Sequence, residues 1–86
     1  MQQVDIYTKA FCPFCTRAKA LLEEKGVAFH EVAIDAKPQL REEMIERANG
    51  GWTVPQIFIG DLHIGGCDEL MALERQQKLD ALLQSQ

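Results

Sequence analysis

The order of apolar patterns along this chain predicts an α/β fold: a mixed four-stranded sheet with helices on both faces, in the order βαβαββα. Three observations carry that expectation. A strand pattern at Val4-Asp5-Ile6-Tyr7 and another over residues 29–34 flank an amphipathic helical segment, which makes a βαβ unit. A second helical pattern follows. Gln56-Ile57-Phe58-Ile59 is then separated from Leu62-His63-Ile64 by Gly60-Asp61, a two-residue turn of hairpin type.

Taken in order, the first strand leads into Cys12-Pro13-Phe14-Cys15 and a helix carried by residues 17–25, with Ala18, Leu21 and Leu22 on one face. Pro13 suits the first helical position, where its fixed φ fits and its missing N–H is no loss. That places Cys12 at or beside the N-cap. Gly26 stops the helix, and the strand over residues 29–34 should lie parallel to the first through a right-handed crossover. Asp35 begins a loop, and Lys37-Pro38 opens a second helix running to about Ala48. Leu40, Met44, Ile45 and Ala48 give it a core face, and Asn49-Gly50-Gly51 ends it. The third strand is nearly all apolar, and the short fourth returns antiparallel to it. After Gly65-Gly66, Cys67-Asp68 starts one last helix with Leu70, Leu73, Leu79, Leu82 and Leu83 inside.

At 86 residues, 47% apolar and 26% charged, the chain is expected to form one domain spanning residues 1–86. A net charge of −4 with no basic stripe argues against nucleic acid as a partner. Arg41-Glu42-Glu43 with Glu46-Arg47 reads as a solvated helix face. No apolar run approaches the ~20 residues of a membrane span, and no signal-peptide pattern follows Met1-Gln2-Gln3. Three cysteines are an odd count, which fits a reducing cytoplasm better than a fully paired secreted scaffold. No large apolar patch calls for a dimer, so a monomer is expected. His30 is expected on a strand surface and His63 exposed on the hairpin, neither with a role.

The chemistry centres on the two thiols at i and i+3. On a first helical turn they face the same side and can close a disulfide or attack one in turn. The reacting species is the thiolate, and an ordinary cysteine with a pKa near ~8.5 is only slightly ionised at neutral pH. A helix N-terminus and a nearby cation lower that value, and Lys9 and Arg17 flank the motif. Cys12 is therefore expected to attack, and Cys15, one turn inside, to resolve.

Two further segments complete a site. Thr53-Val54-Pro55 precedes the third strand, where a proline belongs at the strand's first position or in a turn. A cis Val54–Pro55 bond would turn the Val54 backbone groups outward, ready to pair with an extended peptide-like ligand. Gly65-Gly66-Cys67-Asp68 presents backbone N–H groups at a helix start, suited to a carboxylate, with Asp68 suited to an amine. Together they match the head of an α-amino acid, while Lys9 can take a second carboxylate at the other end.

Tyr7-Thr8-Lys9, Cys12-Pro13-Phe14-Cys15, Thr53-Val54-Pro55-Gln56-Ile57-Phe58-Ile59 and Gly65-Gly66-Cys67-Asp68-Glu69-Leu70 together resemble the glutaredoxins, in particular the small bacterial dithiol type. The resemblance runs nearly end to end. It implies a thioredoxin fold, with glutathione as co-substrate, no tightly bound cofactor and no metal. It implies Lys9 at the glycine carboxylate, Val54 on the cysteinyl backbone with Thr53 and Pro55 shaping that edge, and Gly66, Cys67 and Asp68 at the γ-glutamyl end. Phe14, where the family usually has tyrosine, keeps the ring that packs on the ligand. Trp52 stands where smaller or polar residues are common.

The implied activity is a ping-pong exchange with glutathionylated or disulfide-containing proteins, ribonucleotide reductase among the candidate partners. Three other readings compete. Cys12, Cys15, Cys67 and His63 supply four possible zinc ligands but lack the paired knuckles of structural zinc sites. A [2Fe–2S] cluster shared by two chains through Cys12 and glutathione is known among the glutaredoxins, although Pro13 resembles the redox-active members. A thioredoxin-like reductant served by a flavoprotein reductase would not need Lys9, Gly66 or Asp68. The Cys67 side chain is expected to be a small apolar group, or else a third oxidisable thiol.

Overall fold

A computed structural model describes residues 2–84. The expected domain span also includes Met1, Ser85 and Gln86, which lie outside the described residues. The elements are β1 (Val4–Thr8), α1 (Pro13–Glu24), β2 (Phe29–Ala33), α2 (Pro38–Arg47), β3 (Gln56–Ile59), β4 (Leu62–Gly65), α3 (Cys67–Arg75) and α4 (Leu79–Gln84). The sheet order is β2-β1-β3-β4, with β1 parallel to β2 and antiparallel to β3, and β3 antiparallel to β4. This is the expected mixed sheet, and its arrangement is that of a thioredoxin fold.

Strand alternation divides the core into two layers. Val4 and Ile6 of β1 and Ile57 and Ile59 of β3 face α1, α3 and α4, where they meet Ala18, Leu22, Leu70, Leu79 and Leu83. Tyr7 and Phe58 point the other way and are covered by α2 through Met44 and Ala48. β2 is an edge strand, which is why three of its five residues are exposed. Ile34 lies just beyond its end, but its N–H still donates to Thr8 at 2.8 Å.

Two expectations about helices are corrected. The last helix is two helices. In a continuous helix Leu70 and Leu79, nine positions apart, would stand ~180° from each other and could not share one core. Gln77 instead adopts φ 60, and α4 leaves in a new direction that buries Leu79 and Leu83 beside Leu70. Lys25, at the end of α1, holds the junction through Glu74 of α3 at 2.8 Å and Asp80 of α4 at 2.7 Å.

The polar face of α2 is also not simply solvated. Glu43 accepts a 2.6 Å hydrogen bond from the Tyr7 hydroxyl, and Arg47 donates to Asp5 at 2.9 Å. The Arg47 guanidinium lies 4.0 Å from the centre of the Phe58 ring. The sheet face beneath α2 carries Asp5 and the Tyr7 hydroxyl, and α2 supplies their partners. Burial and the hydrogen bond to Glu43 push the Tyr7 phenol up. None of the described helices is long and apolar enough to cross a membrane.

Candidate active site

Cys12 caps α1. Its φ and ψ of −117 and 99 are extended, Pro13 takes the first helical position, and the Cys15 N–H donates to the Cys12 sulfur at 3.2 Å. Cys12 and Cys15 are joined as a disulfide, with Cα atoms 5.2 Å apart. The two sulfurs are unequally placed, as expected: Cys12 is half-buried, whereas Cys15 is 2% exposed. The same N–H that faces the disulfide is positioned to stabilise a Cys12 thiolate after reduction.

The Val54–Pro55 peptide is cis, and the Val54 carbonyl lies 3.9 Å from the Cys12 sulfur. Two adjoining hollows meet at Thr53 and Val54. The first, of ≈ 400 Å³, lies between Phe14, Pro55 and the start of α3 at Gly66, Cys67 and Asp68. The second, of ≈ 290 Å³, lies beside Cys12 and is bounded by Lys9, Phe11, Arg41 and Trp52. The structure thus gathers all of the expected site residues along one groove, except that Cys15 sits beneath the cap of α1. A larger hollow of ≈ 650 Å³ opens beside the dithiol, against Lys19, Glu31 and Asp35. There the hydrogen bonds from Thr8 and Lys19 hold the Glu31 carboxyl below its ordinary range.

One expectation at the start of α3 changes. The Gly66 N–H is not free for a ligand, because it donates to the Glu69 carboxylate at 2.6 Å. The N–H groups left at the helix start are those of Cys67, Asp68 and Glu69. Gly66 matters instead through its small size, since a Cβ there would stand 3.3 Å from the Pro55 carbonyl. Cys67 is 4% exposed, and burial, with the Asp68 and Glu69 carboxylates, pushes its thiol up against the opposing pull of Arg17. His63 is half-buried rather than exposed, bonded to Gln56 and stacked on Phe58. Among the described residues, no three His, Cys, Asp or Glu side chains converge as metal ligands, so the zinc set read from the sequence is not assembled.

Sequence reasoning missed Phe11, Arg41 and Glu69. Phe11 is fully exposed at φ 56, and no local signal marked it. Arg41 was hidden in a charged helical run. Glu69 had a signal, since it stands three residues after the N-cap, where a carboxylate reaches back to the cap N–H.

A helix-capped, half-buried cysteine paired with a buried one, facing a cis-proline loop across a thioredoxin fold, defines a thiol–disulfide oxidoreductase. The chain belongs to the glutaredoxin family, whose model matches residues 4–64. It is 61% identical over 83 residues to Glutaredoxin of Pseudomonas aeruginosa, covering 96% of this chain and 98% of that one. Its identity to Glutaredoxin 3 of Escherichia coli K12 is 59% over 83 residues, covering 96% and 99%. The crystal structure of a buckwheat glutaredoxin–glutathione complex superposes with a TM-score of 0.86 at 30% identity, over 95% of this chain and 76% of that one.

Proposed function

We propose that this protein is a cytoplasmic glutathione-dependent oxidoreductase that reduces protein–glutathione mixed disulfides and protein disulfides. The observation that carries the reading is the groove that runs from Lys9 and Arg41, past the Cys12 sulfur and the Val54 backbone, to the start of α3. It offers cations at one end and helix N–H groups beside a carboxylate at the other, with an exposed backbone edge between. Glutathione has a carboxylate at one end, an amino-acid head at the other and a thiol-bearing peptide between. Lys9, joined by Arg41, takes the glycine carboxylate. Val54 pairs with the cysteinyl backbone, with Thr53 and Pro55 framing it. The N–H groups of Cys67 and Asp68 take the γ-glutamyl carboxylate, and the Asp68 side chain takes the ammonium. Phe14, half exposed beside this hollow, packs on the ligand.

The Cys12 thiolate attacks the glutathione sulfur of a glutathionylated protein. The Cys12–glutathione bond forms, the old disulfide breaks, and the protein leaves as a thiolate that takes up a proton. A second glutathione thiolate attacks the glutathione sulfur on Cys12, giving glutathione disulfide and regenerating the Cys12 thiolate. For a protein disulfide, such as that of ribonucleotide reductase, Cys12 forms the mixed disulfide and Cys15 displaces the substrate. Glutathione then reduces the Cys12–Cys15 bond.

The test is turnover of a glutathionylated peptide by the reduced protein with glutathione, glutathione reductase and NADPH, comparing wild type with Asp68→Ala. Rapid turnover with a raised KM in the variant supports both the reaction and the γ-glutamyl end. No turnover with glutathione, but activity with thioredoxin reductase, would retain the dithiol and discard the ligand.

A further inference from the structure

We infer that His63, which lies outside the groove, is a positioning residue that sets the Thr53 hydroxyl as a hydrogen-bond donor to the ligand, acting through Gln56. The inference rests on the glutathione reading above and adds residues that the reading does not use.

Gln56 is 5% exposed, and its side-chain amide sits between two groups. His63 Nε2 lies 2.6 Å from Gln56 Oε1, and Gln56 Nε2 lies 3.3 Å from Thr53 Oγ1. An amide oxygen only accepts, so the contact at Oε1 requires a proton on His63 Nε2. The amide then presents its N–H to Thr53. The Thr53 oxygen is occupied as an acceptor, and its own O–H is left to donate. Thr53 borders both hollows of the groove, where a carboxylate or peptide carbonyl of the ligand is the natural acceptor.

The opposite arrangement is chemically consistent but useless to an anionic ligand. With the proton on His63 Nδ1, Nε2 would accept from a reversed Gln56 amide. The Gln56 oxygen would then take the Thr53 proton, leaving only an acceptor facing the groove. The two arrangements differ in the tautomer of a histidine on β4, and His63 thereby decides what Thr53 offers. The imidazole is held for this task. It stacks on Phe58 with ring centroids 4.9 Å apart and planes 24° from parallel, and Phe58 itself is 1% exposed.

The experiment compares Thr53→Val, His63→Phe and the double variant, measuring kcat and KM for the glutathionylated peptide. Phenylalanine keeps a ring over Phe58 and removes the N–H, while valine keeps the threonine shape and removes the hydroxyl. Each single variant is expected to raise KM about fivefold, the loss of one neutral hydrogen bond, with kcat within about twofold. The double variant is expected to match either single one, because both break the same relay. Multiplying effects, or an unchanged KM in either single variant, would overturn the proposal.

A second measurement needs neither folding of a variant nor turnover. The ¹⁵N spectrum of the wild-type His63 ring is expected to show the Nε2–H tautomer, and an Nδ1–H tautomer would overturn the relay. Absence of glutathione turnover in the wild type would defeat the glutathione reading, while the spectrum would still decide the relay by itself.

Discussion

The Gly66 N–H donates to the Glu69 carboxylate at 2.6 Å, so the cap amide of α3 is closed by its own chain. Gly65 makes this contact possible. It adopts φ 113, and a Cβ there would come within 2.8 Å of the Glu69 carboxylate oxygen. Glu69→Ala is expected to cost about 0.5–2 kcal/mol of stability through loss of the cap. Gly65→Ala is expected to cost about 1–3 kcal/mol, because it strains the backbone and displaces the same carboxylate. Urea unfolding of both variants is the check. A Gly65→Ala protein as stable as wild type would contradict the crowding seen at this turn.

The unequal burial of Cys12 and Cys15 leads to a separation of activities. Cys15→Ser is expected to retain turnover of glutathionylated peptides, which needs only the Cys12 sulfur and a second glutathione. The same variant should lose reduction of protein disulfides, where a resolving thiol is required. Cys12→Ser should abolish both. Parallel assays on a glutathionylated peptide and an intramolecular protein disulfide decide the point, and equal loss of both activities in Cys15→Ser would defeat the division.

Asp5 and Glu31 make stability depend on acid. At Asp5, burial opposes ionisation, but hydrogen bonds from Gln3 and Arg47 outweigh it and lower the carboxyl below its ordinary 3.8. At Glu31, hydrogen bonds from Thr8 and Lys19 lower it below 4.5. In both cases the folded state holds the proton less tightly than the unfolded chain. The stabilisation is therefore fully present above the ordinary values and is lost as pH falls through the lowered ones. Asp5→Asn and Glu31→Gln should each be less stable than wild type at pH 7, with the gap closing below pH ~4. Urea midpoints measured at stepwise lower pH test this, and a gap that stays constant down to pH ~3 would rule it out.

Most of the architecture was legible because its signals are local. Pro13 after Cys12 marks the start of α1, Gly60-Asp61 marks the β3–β4 hairpin, and the nearly all-apolar run before that turn marks β3. The break between α3 and α4 was not, since Gln76-Gln77-Lys78 carries no glycine or proline. Only the need to bury Leu70 and Leu79 on one face requires the turn. The site residues that escaped notice depend on long-range proximity. Arg41 reaches the groove because α2 ends up beside the Cys12 loop, and His63 meets Gln56 only across the hairpin. Conversely, the face of α2 that looked solvated was claimed by Asp5 and Tyr7, forty or so positions away in sequence.

Cys67 lies against the groove but should be slow to react. It is 4% exposed, and burial, reinforced by the Asp68 and Glu69 carboxylates, pushes its thiol above the ordinary cysteine range, so little thiolate forms at neutral pH. Cys12 stands in the opposite setting, at a helix N-terminus with a donated N–H on its sulfur. Brief iodoacetamide treatment of the reduced protein at pH 7, read by mass spectrometry, should label Cys12 first and leave Cys67 unmodified. Raising the pH should bring Cys67 labelling forward only after that of Cys12 is complete. Mild peroxide should consume the same number of thiols in wild type and Cys67→Ser. Loss of one further thiol from the wild type would mean that Cys67 joins the redox chemistry, and that the packing seen around it opens in solution.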